Sequence, residues 1–124
     1  MSKVFAIRGA ITVDENTESA IKAASVDLVK ILRVKNKIGD DEFISLQASS
    51  TQDITKAYPV KFMRESPFIP NGTPFFSSQE PPIEDTLPLC IRIIVLVQKE
   101  DITFKPVHFY LKGAKVLRPD LLNA

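Results

Sequence analysis

The sequence predicts an α+β domain whose sheet is covered by helix on one side only. Three observations predict it. Several segments alternate apolar and polar residues with the two-residue period of strands. One long stretch carries its apolar residues at helical spacing. Nothing else in the 124 residues is long enough to cover a second sheet face. The length is that of a single domain, residues 1–124.

The first strand is Val4 to Val13. Phe5, Ile7, Ile11 and Val13 point one way, and Val4, Ala6, Arg8 and Ala10 the other. The long helix follows. Asn16 or Thr17 caps it, Glu18 suits its first turn, and Ile21, Ala24, Leu28, Ile31 and Leu32 form its apolar stripe. Gly39 is the expected stop. Asp41 to Ser49 reads as a second strand. "STQDITKAYPVKFMRE" offers a capped short helix, a break at Pro59, and a second short helix ending at Arg64 or Glu65. Residues 66–74 are rich in turn formers. "FFSSQE" is a short strand and "PPIEDTLP" a loop. "LCIRIIVLVQ", Leu89 to Gln98, is the strongest strand in the chain. "DITFKP" connects it to a last strand, Val107 to Leu111, and the end is irregular with at most one helical turn.

These assignments divide the sheet. Phe5, Ile7, Ile11, Leu89, Ile91, Ile93, Val95, Val97, Val107, Phe109 and Leu111 face the helix. Ala6, Arg8, Ala10, Cys90, Arg92, Ile94, Leu96, His108 and Tyr110 face away. The second set is too apolar to meet water along its whole length, so a partner subunit is expected to cover part of it.

Composition excludes several function classes. Sixteen basic and fifteen acidic residues leave a formal charge of +1. That is no footprint for nucleic acid or an anionic membrane. One cysteine, Cys90, allows no intrachain disulfide and points to a reducing compartment. One histidine and one cysteine argue against a zinc site. Arg8 interrupts what a signal peptide would keep apolar, and no apolar run reaches the length of a membrane span. A cytoplasmic protein without a zinc site of the usual ligand types is the expectation.

Arg92 interrupts the greasiest strand, on the open face, with Arg8 and Tyr110 on the same side of two other strands. A guanidinium half out of water needs an anion, because it cannot deprotonate. A structural ion pair, with Glu80 or Glu84, would satisfy it. So would the carboxylate of a ligand; two arginines with a tyrosine on one face and a carboxylate nearby give that reading equal weight with the ion pair. His108 lacks the Ser or Cys with an orienting acid that nucleophilic catalysis requires. Cys90, inside an apolar strand, reads as an inert thiol.

The segments "IRGAITV", "SSTQDITKAYPVKFMRE", "QE" at Gln79 and Glu80, "CIRIIVLVQ", "HFYL" and "KVLRPDL" occur together in this order from about Val4 to Leu122. In that combination the chain resembles the small monofunctional chorismate mutases of the trimeric bacterial type. The resemblance implies a ferredoxin-like subunit with a mixed sheet and one long helix. Three subunits would close into a homotrimer, a pseudo α/β-barrel with an active site in each interface cleft. The reaction implied is the [3,3] rearrangement of chorismate to prephenate, in aromatic amino acid biosynthesis, with no metal or cofactor. Position by position, the resemblance makes Arg92 the cation on the breaking ether oxygen. Arg8 and Tyr110 hold a carboxylate, and Glu80 faces the ring and its hydroxyl. Tyr58, Arg64 and Lys61 fall on pocket positions supplied across the interface. Leu117 and Arg118 fall in the segment that closes over the site.

The chain departs from the family around residue 77. The usual V-P-x-x-C-x-Q-E run is "TPFFSSQE" here, so Ser77 takes the cysteine position and Phe75 and Phe76 crowd the pocket. Tyr58 stands where phenylalanine is usual. Two other classes share the sheet arginines: a non-catalytic trimeric module binding a dicarboxylate metabolite, and a small imine or enamine deaminase. Glu80 argues against the first, since a carboxylate sensor has little use for a second acid. The "QE" and "LRPDL" segments argue against the second.

Overall fold

A computed structural model describes residues 2–117. Five strands form one sheet in the order β3-β2-β4-β1-β5: β1 Lys3–Thr12, β2 Phe43–Ser50, β3 Phe75–Gln79, β4 Cys90–Lys99 and β5 Phe109–Leu111. β4 runs antiparallel to both neighbours, while β1–β5 and β2–β3 are parallel pairs. The sheet is therefore mixed and the class α+β. Helix α1, Glu18–Asn36, carries the chain from β1 over β4 to β2. The short α2, Pro59–Glu65, makes the second crossover, from β2 to the parallel β3.

Helix α1 starts where its cap residue dictates: Thr17 Oγ1 accepts from the Ala20 amide at 3.2 Å. Its stripe of Ile21, Ala24, Leu28, Val29 and Leu32 is buried. These side chains pack with Ile7, Ile11, Leu46, Ile91, Ile93, Val95 and Val97 into the main core. Gly9 permits the close approach, since a Cβ there would stand 3.1 Å from Leu28 Cδ1.

Four expectations need correction. The helix ends at Lys37, not Gly39; Lys37 takes the left-handed conformation (φ 53°) that glycine usually supplies. Side chains satisfy the carbonyls there: Lys99 Nζ donates to Lys37 O at 2.8 Å and Asn36 Nδ2 to Leu32 O at 2.9 Å. Residues 40–42 form a 3-10 turn rather than the start of β2, closed by the Glu42 carboxylate on the Gly39 amide. The short helix expected before Pro59 does not form. Its would-be capping groups bind elsewhere, Thr51 Oγ1 to the Cys90 amide and Asp53 to the Leu89 amide. The last strand is shorter than Val107–Leu111, because the Val107 backbone bonds to a side chain and the Arg8 amide to the His108 ring instead of forming a ladder. Val107 N and O pair with Asn36, and His108 Nδ1 accepts from Arg8 N. A 3-10 turn, Lys112–Val116, follows β5. Among the described residues no helix is long and apolar enough to cross a membrane.

Candidate active site

The face turned away from α1 holds the residues singled out above, and the strand registers line them up. Ser78 pairs with Ser49, Ser49 with Arg92, Arg92 with Ala10, and Ala10 with Tyr110. This row crosses all five strands. The next row holds Phe76, Gln47, Ile94 and Arg8. Cross-strand neighbours on one face lie within side-chain reach of each other. Arg8, Gln47, Ser49, Phe76, Ser78, Arg92 and Ile94 accordingly line an open cleft of about 360 Å³.

Arg92 is paired within the chain. Its Nε lies 3.1 Å from Oε2 of Glu80. The approach is a charge contact and not an aligned hydrogen bond, since that buried nitrogen has no hydrogen-bond partner among the described residues. The Arg92 side chain is nonetheless 34% exposed against 18% for Glu80. With Nε buried, the exposure belongs to the rest of the side chain. The ion pair that the sequence left open is thus present, and it does not fill the cleft. Glu80 is itself fixed twice. Ser49 Oγ donates to the same Oε2 at 3.1 Å, and the Glu80 amide donates to Ser50 O at 2.9 Å.

Arg8 differs. Its amide is bonded to His108 Nδ1 at 2.9 Å, but no carboxylate among the described residues pairs with its guanidinium. His108 accepts at Nδ1, so the imidazole carries no proton there. Tyr110 is 3% exposed and its hydroxyl has no hydrogen-bond partner among the described residues. An orphan polar group at that depth is uncommon in a finished interior. Tyr110 belongs to a small second cluster with Ala10, Cys90 and Ala114, onto which Leu87 and Leu117 pack. Burial pushes the Cys90 thiol up, with Arg92 pulling the other way. A thiol so placed is a poor nucleophile.

The remaining candidates are scattered. Phe76 is 65% exposed at the cleft rim. Ser77 points to the other side of β3, where it lines a second depression of about 570 Å³ with Ser50, Tyr58 and Gln79. Tyr58 is 74% exposed. Lys61 and Arg64 are exposed on α2 and line neither depression. Arg118 lies outside the described residues. Sequence reasoning missed Ser49, Gln47 and Ser78. Their alternation in β2 and β3 was visible, but only the pairing register places them beside Arg92.

The profile of the family described as chorismate mutase type I matches residues 4–121. A chorismate mutase AroH of Thermus thermophilus is 34% identical over 122 residues, covering 98% of each chain. One of Bacillus subtilis is 31% identical over 118 residues, covering 93% of this chain and 90% of that one. The solved structure of a chorismate mutase from Clostridium thermocellum superposes with a TM-score of 0.83 at 34% identity. It covers 91% of this chain and 99% of the other.

Proposed function

The chain belongs to the chorismate mutase type I family, and on that premise we propose that the open-face cleft is where it rearranges chorismate to prephenate. The enzyme class is that of an intramolecular isomerase, and the substrate carries two carboxylates. In the [3,3] shift a C–O bond breaks as a C–C bond forms. Negative charge grows on the ether oxygen while the ring becomes electron-poor.

The observation that carries the reading is the unequal treatment of the two arginines. Arg92 is fixed by Glu80 with part of its side chain left open, whereas Arg8 pairs with no acid among the described residues. In this reading Arg92 meets the ether oxygen. A cation already oriented there stabilises the transition state more than the ground state and needs no reorganisation. Arg8 and the orphan Tyr110 hydroxyl take a carboxylate. Glu80, paired with Arg92, faces the developing positive ring. Holding the substrate side chain folded over the ring adds an entropic share. No step moves a proton to or from the protein.

A homotrimer completes the proposal. Val4 is 53% exposed, and Ile94 and Leu96 are only half-buried on the bare face. A second subunit covering that face would bring its Tyr58, Ser77, Lys61 and Arg64 toward the first subunit's cleft. Leu117 and Arg118 would close over it. The single buried cysteine supports a cytoplasmic location.

The test is direct. Purified protein with no added metal should consume chorismate, followed by its ultraviolet absorbance, and yield prephenate. A folded trimer that binds chorismate without consuming it would establish the non-catalytic dicarboxylate module instead.

A further inference from the structure

Leu89 and Cys90 form the doorstep of β4, three and two residues before Arg92. All four of their backbone polar groups are held. Leu89 N donates to Asp53 Oδ2 at 2.9 Å, and Leu89 O accepts from Val13 N at 2.7 Å. Cys90 N donates to Thr51 Oγ1 at 3.0 Å, and Cys90 O accepts from Thr51 N at 3.0 Å. The Thr51 hydroxyl in turn donates to Asp53 Oδ1 at 2.5 Å. Leu89 sits at φ 48°, a conformation a leucine resists. Such backbone persists only where the surroundings over-determine it. The clamp is that surrounding, and neither Thr51 nor Asp53 lines the cleft.

From Cys90 onward β4 is in unbroken register with β1, and with β2 as far as a bulge at its far end, between Phe43 and Ser45. No irregularity separates the clamp from Arg92 to absorb a shift of the doorstep. The two residues just before Thr51 fix the other charge, Ser49 through the Glu80 carboxylate and Ser50 through its amide. One stretch, Ser49 to Asp53, therefore ties down both halves of the Arg92–Glu80 pair. Resting on the reading of Arg92 given above, we propose that Asp53, acting through Thr51 and the Leu89–Cys90 backbone, is a positioning residue for the Arg92 guanidinium.

Asp53 is exposed, so its replacement opens no cavity. Asp53→Ala should lower kcat about tenfold with KM within about twofold, because small misplacements of a catalytic group are costly. Asp53→Asn keeps one acceptor and should restore most of the loss. In an Arg92→Lys background the same Asp53→Ala change should cost less than about twofold, since coupled residues are non-additive. Amide exchange at Leu89 and Cys90 should quicken in Asp53→Ala while that of α1 stays as in the parent. Unchanged kcat, or an equal loss in both backgrounds, would overturn the inference and leave Asp53 a purely structural residue. Thr51→Val, near-isosteric, carries the same test should Asp53→Ala fold poorly. A folded parent inert toward chorismate would sink the reading of the site. Unquickened exchange at Leu89 in Asp53→Ala would sink the clamp by itself.

Discussion

The two faces of β4 are built from one alternation and put to opposite uses. Ile91, Ile93, Val95 and Val97 are at most 4% exposed against α1. Between them Arg92, Ile94 and Leu96 stay half-buried on the bare side. The covered face is closed by apolar packing, with Ser25 Oγ as its orphan polar atom among the described residues. The bare face holds the other two orphans, Arg92 Nε and Tyr110 Oη, in one row of the sheet. Stability and chemistry are separated by a single step along the strand, so substitutions one residue apart should report different quantities.

The largest contrast is expected at Arg92 itself. Arg92→Lys keeps the charge and loses the planar fork, and removing one such preorganised donor costs about 3–4 kcal/mol, or about 10²–10³ in kcat. The unfolding midpoint should barely move. A change confined to KM would mean that Arg92 only binds. On the covered face the opposite pattern is expected. Leu28 is fully buried against Gly9, and Leu28→Ala should cost about 2–5 kcal/mol of stability. Turnover per folded molecule should stay at the parental value. Urea unfolding beside chorismate turnover on the same samples checks both, and a kcat loss in Leu28→Ala would join what the comparison separates.

Much of this division was legible in the sequence. Period-two alternation through Val4–Val13 and Leu89–Gln98 sorts both faces, and helical spacing from Ile21 to Leu32 selects the side that is covered. What stayed hidden depends on partners distant in the chain. Thr51 and Asp53 are residue types that suit the cap of a short helix, but β4 arrives and claims their oxygens. Gly39 is the better left-handed residue, yet Lys37 takes that role because Lys99, from β4, reaches its carbonyl. Ser49 joins the site only through its pairing with Arg92. Arg8, Arg92, Glu80 and Tyr110 could be named from residue type and from the family resemblance. That Arg92 shares a row with Tyr110, with Arg8 one row on, could not, since sequence alone does not give the register.

A smaller effect is expected at Arg8. Its guanidinium has no carboxylate partner among the described residues, so its replacement strands no internal charge. Arg8→Ala should raise KM about 10–100-fold, the worth of a charged hydrogen bond at about 1.5–3 kcal/mol. Its effect on kcat should be the lesser one. An unaltered KM would remove Arg8 from the site and leave the bare face with one functional arginine.

The smallest expected effect compares the two ion pairs of β4. At one end Arg92 meets Glu80 beside the cleft. At the other Lys99 Nζ meets Glu42 at 2.8 Å, with side chains 12% and 25% exposed, and binds Lys37 O at the end of α1. Burial pushes the Glu42 carboxyl up, but the Lys99 bond, the Gly39 amide and the Lys99 charge together hold it below its ordinary value of 4.5. A carboxyl depressed by folding contributes stability that is fully present above its unfolded value. That stability disappears as the pH falls through the lower folded one. The loss therefore belongs below pH 4.5. Lys99→Met should be less stable than the parent at neutral pH, and the gap should narrow as the pH drops below that point. Because the pair serves the helix end and not the cleft, turnover of chorismate at neutral pH should be the same in both proteins. Urea unfolding at pH 7 and at pH 3.5 measures the gap. A gap that widens in acid would show that Glu42 is protonated more readily in the fold than outside it, and Lys99 would then be anchored by the Lys37 carbonyl alone.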